Sequence, residues 1–500
     1  MNLGQIFKHS FLETPDKTAI ICDDKTLTYK ELEDEIQRFV GVLKYFNIKK
    51  GDRVSFFMDN EIVLPVGFLA CFRLGAIVVP SSYYNSAKEL ARESNSCKSK
   101  IYFTSKELYS RLENIKTDAL SVKNVVVVDG GAKGDDYNLL DLYKSVKKDA
   151  EVIELDEKEM AMILYTSGST GQPKGVTHTH KSLLANARNR VSFIKHTSDD
   201  VMFSASYLAH GAASSVILLP MLYCGGSCVF TKFHNLENYV EMIKRYLVTH
   251  LILSPMDYKS FVDLPNIIKD DFKSLKFAAT GGNSIDVEIQ KRFKKLIGTP
   301  LVLGLGMTEC GGYITTPPEM KVKYGSLGKP VDGVELRVVD ENGVEVKRLQ
   351  TGELLVKSDT IMCCYYEDEA NTKDAFVDGW FKSGDLVMCD EDGYYFFKGR
   401  KKNIIIRGTK NINPQEIEDI LLKHPQVGAT VVIGVENTED IIAFVVPKDI
   451  KNHPSQSELE EFLQEWITQK KIPNRFMFLD SFPTNTTLGK IDMKKLKEMI

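Results

Sequence analysis

One stretch constrains this chain more than any other: Tyr165-Thr166-Ser167-Gly168-Ser169-Thr170-Gly171-Gln172-Pro173-Lys174-Gly175-Val176. It follows Glu159-Met-Ala-Met-Ile-Leu164, an apolar run that predicts a buried strand. From Thr166 to Gly171 every residue is a hydroxyl residue or a glycine. Such a loop offers backbone N–H groups and O–H donors to a polyphosphate, because glycine lets the backbone approach closely. Lys174 adds a cation for phosphate oxygens. A Walker A loop would place Ser or Thr directly after its Lys and then open a helix. Here Gly175-Val176 follow Lys174, so this is a different phosphate loop. A plain polar turn between two strands is the bland alternative, and the length of the string weighs against it.

The chain around this loop has 500 residues, more than one ordinary core holds, so at least two domains are expected. It carries 64 basic and 68 acidic residues, for a net charge of −4. That balance implies no nucleic-acid partner and no acidic tail. Nine cysteines are scattered without a disulfide or zinc spacing, which favours reduced thiols and a cytoplasmic enzyme. The N-terminus lacks the apolar core of a signal peptide. Val63 to Pro80, the most apolar segment, is interrupted by Arg73, so no membrane span is expected.

Strand and helix patterns alternate through the first part. Thr18–Cys22 and Leu27–Tyr29 predict strands around an Asp23-Asp24-Lys25 turn, and Thr28 with Glu31 makes a capping-box pattern for the helix that follows. Val54 to Phe57 predicts a strand, Asn60 opens a helix to Leu74, and Ala76 to Pro80 is a strand again. This alternation implies an α/β fold with a largely parallel sheet. His178 and His180 could ligate a metal, but no third ligand stands nearby, so a strand-to-helix connection is favoured. Phe203-Ser-Ala-Ser-Tyr207-Leu-Ala-His210-Gly211 leads into a helix of small and apolar residues ending at Pro220. Leu275 to Ala279 predicts a strand running into Thr280-Gly281-Gly282, where glycines suit close approach of a flat ligand. Leu301–Leu303 leads into Gly304-Leu-Gly-Met-Thr308-Glu309. Asp385, read as a turn residue in Gly379-Trp-Phe-Lys-Ser-Gly384-Asp385, is a candidate acceptor for ribose hydroxyls. Asp392-Gly393 predicts a hairpin turn. Beyond Gly399-Arg400-Lys401-Lys402 the last hundred residues read as a small α+β domain, with Ser457 and Glu460 capping a helix through Trp466.

The twelve-residue string closely resembles the phosphate loop of the adenylate-forming superfamily, which contains acyl-CoA synthetases, adenylation domains of non-ribosomal peptide synthetases and beetle luciferases. The resemblance covers nearly the whole chain. Gly304 to Glu309 is similar to the family's second signature, with Leu305 in place of the common aromatic. Gly399 to Lys402 resembles the hinge, and Gly489-Lys490 the terminal signature. The resemblance implies a large N-terminal α/β domain over 1–398, with mixed and parallel sheets flanked by helices. A hinge over 399–402 and a small mobile α+β domain over 403–500 complete the expected architecture.

The implied activity is ATP-dependent conversion of a small carboxylic acid to an acyl-adenylate, followed by transfer to a thiol. Residues 166–171 and Lys174 would hold the β- and γ-phosphates, Thr308 the α-phosphate, and Glu309 Mg2+. Gly281, Gly282 and Gly304 would line adenine and part of the acyl pocket, with Tyr207 and His210 in that pocket. Asp385 and Arg400 would bind ribose, Lys402 would be the pivot, and Gly408 would line the thiol channel, where Thr409 replaces a common glycine. Lys490 would bridge the attacking carboxylate and the α-phosphate. Ser204 stands where amino-acid adenylation domains carry an Asp, which argues for a plain acid. CoA is the expected acceptor. A stand-alone ligase loading the phosphopantetheine of an acyl carrier protein is the alternative, and a non-catalytic nucleotide-binding protein is a third reading that has no use for Lys490.

Overall fold

The computed structural model describes residues 2–166, 173–209, 211, 213–265, 267–282, 285–407, 410–435, 438, 440–484 and 491–500. The chain folds into two compact units. One comprises Met1–Glu335 and Val356–Phe381, the other Leu336–Leu355 and Lys382–Ile500.

Two large sheets form the first unit. In the nine-stranded sheet the order is Lys329–Pro330, Gly311–Thr315, Leu301–Met307, Phe277–Gly281, His250–Ile252, Val201–Ser204, Ser227–Phe230, Thr18–Cys22 and Lys25–Thr28. From Leu301–Met307 across to Thr18–Cys22 the neighbours pair in parallel, and the flanking pairs are antiparallel. Parallel strands are buried on both faces and read as continuous apolar runs, and Phe203, Val229, Leu251, Ala278 and Leu301 are accordingly sealed in one core. Each large apolar side chain so buried contributes roughly 1.5–3 kcal/mol. The eight-stranded sheet runs Cys364–Tyr365, Lys174–Thr179, Met160–Thr166, Ile77–Pro80, Arg53–Phe57, Ile101–Thr104, Asn124–Val127 and Tyr137–Asn138. The α/β architecture with a largely parallel sheet is therefore present. No helix among the described residues is long and apolar enough to cross a membrane.

The capping box at Thr28 forms as its spacing predicts: Thr28 Oγ1 accepts from Glu31 N and the Glu31 carboxylate accepts from Thr28 N, opening the helix Tyr29–Tyr45. Asn60 does not open a helix; the helix is Val63–Arg73. Asn60 is fully buried, donating to Ser206 O and Thr231 O and accepting from Leu208 N, so it ties three loops together. After residue 211 the chain forms a π-helix, Ala213–Leu218, then the helix Leu219–Cys224, and Pro220 lies in the first turn of the latter rather than at an end. Proline suits that position because the first-turn N–H has no intrahelical acceptor to lose.

In the second unit the hairpin strand Tyr395–Arg400 pairs with residues 385–389 of the strand Trp380–Cys389, closed by Gly393 at φ +82°. The ribbon Ile405–Arg407 with Lys410–Ile412 follows, then a three-stranded sheet of Val427–Gly434, Ile441–Pro447 and Arg475–Phe478. The helices Pro414–Leu421 and Gln456–Gln464 pack Ile417, Leu421, Leu459 and Leu463 onto it. The second helix is capped by Ser455 with Glu458, not by Ser457 with Glu460. Both pairs have capping-box spacing, and the helix starts at the earlier one.

Candidate active site

The described ends of the Tyr165–Val176 string lie on two paired strands. Met160–Thr166 and Lys174–Thr179 pair antiparallel, with Thr166 opposite Lys174, so both ends of the loop are held at one point. Ser167, Gly168, Ser169, Thr170 and Gly171 lie outside the described residues. This strand–loop–strand arrangement differs from the strand–loop–helix of a Walker A site, as the residues after Lys174 imply.

Lys174 opens the returning strand, and its ammonium is positioned from two sides. Nζ donates to Asn371 Oδ1 at 2.6 Å and lies 4.8 Å from the centre of the Tyr365 ring. The Tyr365 hydroxyl donates to Glu309 Oε1 at 3.0 Å. Burial, and then the Glu309 charge and hydrogen bond, push this phenol well above its ordinary value, so it remains a donor. Lys174, Tyr365 and Glu309 are thereby linked although they come from distant parts of the chain.

Thr308 and Glu309 occupy the turn after Leu301–Met307. Three residues from two segments pin that turn. His178 Nε2 lies 2.7 Å from Thr308 O, Met362 N donates to Glu309 O at 2.7 Å, and Thr360 Oγ1 donates to Cys310 O at 3.0 Å. His178 is buried and also meets Ser182 Oγ at 3.1 Å. Burial holds its imidazole below the ordinary value, and the Thr308 carbonyl opposes that shift. His178 thus has a supporting role that sequence reasoning missed, while His180 starts the helix His180–Ile194, as a strand-to-helix connection requires.

Ligands of open α/β sheets bind beyond the carboxyl ends of the strands, and the expected glycines are there. Gly281 and Gly304 are register partners on adjacent parallel strands. A Cβ on Gly281 would stand 2.9 Å from Gly304 O, so the close approach needs glycine. Gly282 has φ +85° and open space where a Cβ would go. Ser204 ends its strand fully buried, its Oγ accepting from Ser206 N at 3.1 Å. Tyr207 stacks on Tyr83 with ring centres 5.8 Å apart, approaches His234 at 4.8 Å, and shares a 2.8 Å hydroxyl contact with Tyr84. Tyr83, Tyr84 and His234 carry no sequence signal for this cluster. His210 lies outside the described residues.

In the second unit Asp385 sits within the strand Trp380–Cys389, not on a turn. Gly384, at φ +70°, precedes it, and Asp385 N donates to Ser383 Oγ, so the glycine re-aims the strand without ending it. Asp385 and Arg400 are cross-strand partners, with Arg400 Nε 3.1 Å from Asp385 Oδ1. The carboxylate is 1% exposed and the Arg400 side chain 46% exposed. Lys402 lies in the short turn of helix Lys401–Asn403; desolvation and the Arg400 charge hold its ammonium below the ordinary value, with Asp385 opposing. Gly408, Thr409 and Lys490 lie outside the described residues. Tyr365 and Asn371 are further first-unit residues that no motif pointed to.

The AMP-binding enzyme family model matches residues 7–366, and that of the AMP-binding enzyme C-terminal domain matches residues 416–490. The chain is 30% identical to the 2-succinylbenzoate–CoA ligase of Bacillus licheniformis, over 95% of each chain. It is 28% identical to a long-chain-fatty-acid–CoA ligase of Escherichia coli, over 99% of this chain and 94% of that one. Its fold is similar to that of ATP-bound MatB from Rhodopseudomonas palustris, with a TM-score of 0.92 and 26% identity over 100% and 99% of the two chains. With the ends of the Tyr165–Val176 string on paired strands, a pinned Thr308–Glu309 turn and family matches in both parts of the chain, the protein belongs to the AMP-binding enzyme family, the adenylate-forming enzymes.

Proposed function

We propose that this enzyme joins a plain carboxylic acid to the thiol of CoA through an acyl-adenylate, consuming ATP and releasing pyrophosphate and AMP. The observation that carries this reading is the convergence of Lys174, Tyr365 and Glu309 at the mouth of the hairpin loop. The acid and the α-phosphate are both anions, so the chain must cancel their repulsion and align them. Lys174 and the loop 166–171 hold the β- and γ-phosphates. Thr308 donates to the α-phosphate. Glu309 is a hard oxygen ligand fit for Mg2+, which supplies charge neutralisation on the phosphates when bound. Asp385 and Arg400 engage the ribose, and Gly281, Gly282 and Gly304 leave a flat path for adenine beside the acyl pocket of Tyr207 and His210.

Lys490 delivers the charge that stabilises the transition state of adenylation. The segment 399–402 acts as the hinge between the domains 1–398 and 403–500, with Lys402 as pivot. Its rotation clears Lys490 for the thiol, which passes Gly408. The similar long-chain-fatty-acid–CoA ligase and 2-succinylbenzoate–CoA ligase are both CoA ligases, which supports CoA here. All nine cysteines are free, which fits a reducing cytoplasm.

Lys490→Ala tests the assignment. It should slow adenylate formation by about 100- to 1,000-fold, the scale of a preorganised electrostatic donor, and spare thioester formation from supplied acyl-AMP. Equal loss in both half-reactions would refute the role. The substrate class has its own test in pyrophosphate exchange. Because Ser204 is a buried neutral residue where an ammonium-binding carboxylate would stand, aromatic or short aliphatic acids should support exchange and α-amino acids should not. Efficient exchange with an amino acid overturns the reading.

A further inference from the structure

Away from the candidate active site, the first unit buries a second group of ligating side chains. His196, Asp200 and His250 each offer one ligand atom, all within 4.8 Å of one another. Their exposures are 6%, 3% and 3%. His196 lies just past the helix His180–Ile194, Asp200 immediately precedes the strand Val201–Ser204, and His250 begins the neighbouring parallel strand.

Two of the three are anchored by ordinary hydrogen bonds. Asp200 Oδ2 accepts from Thr197 N at 2.8 Å and Thr197 Oγ1 at 3.2 Å. Asp200 Oδ1 accepts from Lys276 Nζ at 3.0 Å and Thr249 Oγ1 at 3.2 Å, and lies 3.7 Å from His250 Nδ1. Thr249 Oγ1 is 2.8 Å from that same Nδ1, which fixes the imidazole in its plane. His196 differs. Both its ring nitrogens are buried, and neither has a hydrogen-bond partner among the described residues. Its ring stands edge-on to His250 with centres 4.6 Å apart. Buried polar groups nearly always find a partner, and one left without costs roughly 1–3 kcal/mol. An imidazole bearing that cost beside a second imidazole and a carboxylate has the donor set of a bound cation.

We propose that His196, Asp200 and His250 form a binding site for a divalent transition-metal ion of the Zn2+ type, separate from the nucleotide's Mg2+. Two imidazole nitrogens and one carboxylate oxygen are a known zinc ligand set, with a fourth position left for water. They are softer than the all-oxygen shell that Mg2+ takes. Two cations face the site, Arg190 and Lys276. Lys276 is the movable one: its side chain is 57% exposed, so its ammonium can leave Asp200 for solvent when a metal arrives. The ion would clamp the segment 195–200 to two strands of the large sheet.

The test uses the full chain, stripped with a chelator and titrated under nitrogen with Co2+ in magnesium-free buffer. The proposal expects one tight equivalent with visible ligand-field absorption and no thiolate charge-transfer band. One equivalent of Zn2+ should displace it and raise the melting temperature. His196→Ala and His250→Ala should weaken binding at least about 100-fold, because even the outer partners of metal ligands are worth 10- to 100-fold. His196→Phe keeps a ring in the cavity, so a folded variant with the wild-type melting temperature in chelator and no Co2+ uptake separates lost ligation from lost folding. Lys276→Ala should tighten binding by removing the competing ammonium. No uptake by the wild type, uptake retained in His196→Phe, or a thiolate band pointing to Cys363 and Cys364 would overturn the site.

Discussion

The two compact units assemble their charged groups in opposite ways. In the first, Lys174 meets Asn371 across 197 residues of sequence, Tyr365 meets Glu309 across 56, and His178 meets the Thr308 carbonyl across 130. In the second, Asp385 and Arg400 face each other across one hairpin. A cluster drawn from several distant segments exists only when both sheets of the first unit are in place, and its members share partners. A hairpin pair carries its own geometry. Substitutions in the first cluster should therefore couple, and those in the hairpin should act alone.

Glu309→Gln presses hardest on this contrast. It keeps the shape and an acceptor for Tyr365, and removes the charge assigned to Mg2+. Adenylation should fall by about 100- to 1,000-fold, the loss typical of one electrostatic stabiliser, with a higher Mg2+ requirement and little change in melting temperature. Unchanged Mg2+ dependence in single-turnover assays would remove Glu309 from its role.

A double-mutant cycle then measures the coupling. Tyr365→Phe deletes the hydroxyl bond to a carboxylate, worth about 1.5–3 kcal/mol, so adenylation should drop roughly tenfold or more. Lys174→Met deletes the cation above the same ring. Residues in one network show interaction energies of about 0.5–3 kcal/mol. The pair Lys174→Met and Tyr365→Phe should fall in that range, whereas Lys174→Met with Arg400→Gln should add to within about 0.5 kcal/mol. Additivity in both pairs would dissolve the distinction between a wired cluster and a local pair.

The same contrast explains what the sequence made legible. The hairpin at Asp392-Gly393, the capping box at Thr28 and the alternating strands of the first unit depend on neighbouring residues, and periodicity and turn chemistry reveal them. The glycines 281 and 304 were visible because a backbone approach leaves a compositional mark. Tyr365, Asn371 and His178 left none: a tyrosine, an asparagine and a histidine are ordinary residues until tertiary packing sets them against Lys174, Glu309 and Thr308. His196 and Asp200 stand four residues apart, but His250 joins them only through parallel pairing of two strands. The placement of Asp385 on a turn failed because Gly384 suggests a break, while the strand Trp380–Cys389 continues through it and pairs with Arg400 from Asp385 onward. The Ser457–Glu460 cap failed because two local patterns of equal spacing overlapped and the helix starts at the earlier one.

The smallest expected effect separates the units by pH. In the first, His180 is fully buried and its Nδ1 accepts a hydrogen bond from Leu3 N, which requires an unprotonated nitrogen. Burial pushes this imidazole from its ordinary 6.5 down to about 4. The unfolded chain therefore takes up the proton first, so the stability His180 contributes is full above pH 6.5 and is lost as pH falls toward 4. In the second unit, burial raises the Glu418 carboxyl from 4.5 to about 7, against a hydrogen bond from Val432 N. Here the folded chain holds the proton better, so this contribution is full below pH 4.5 and is lost as pH rises through 7. Between pH 4.5 and 6.5 the two slopes have opposite signs, each at most about 1.4 kcal/mol per pH unit. Melting midpoints read across that window should change slope in opposite directions for His180→Gln and Glu418→Gln, by about 1–2 °C per pH unit in a chain of this length. Slopes that move the same way would show that the two buried groups do not differ in which state holds the proton.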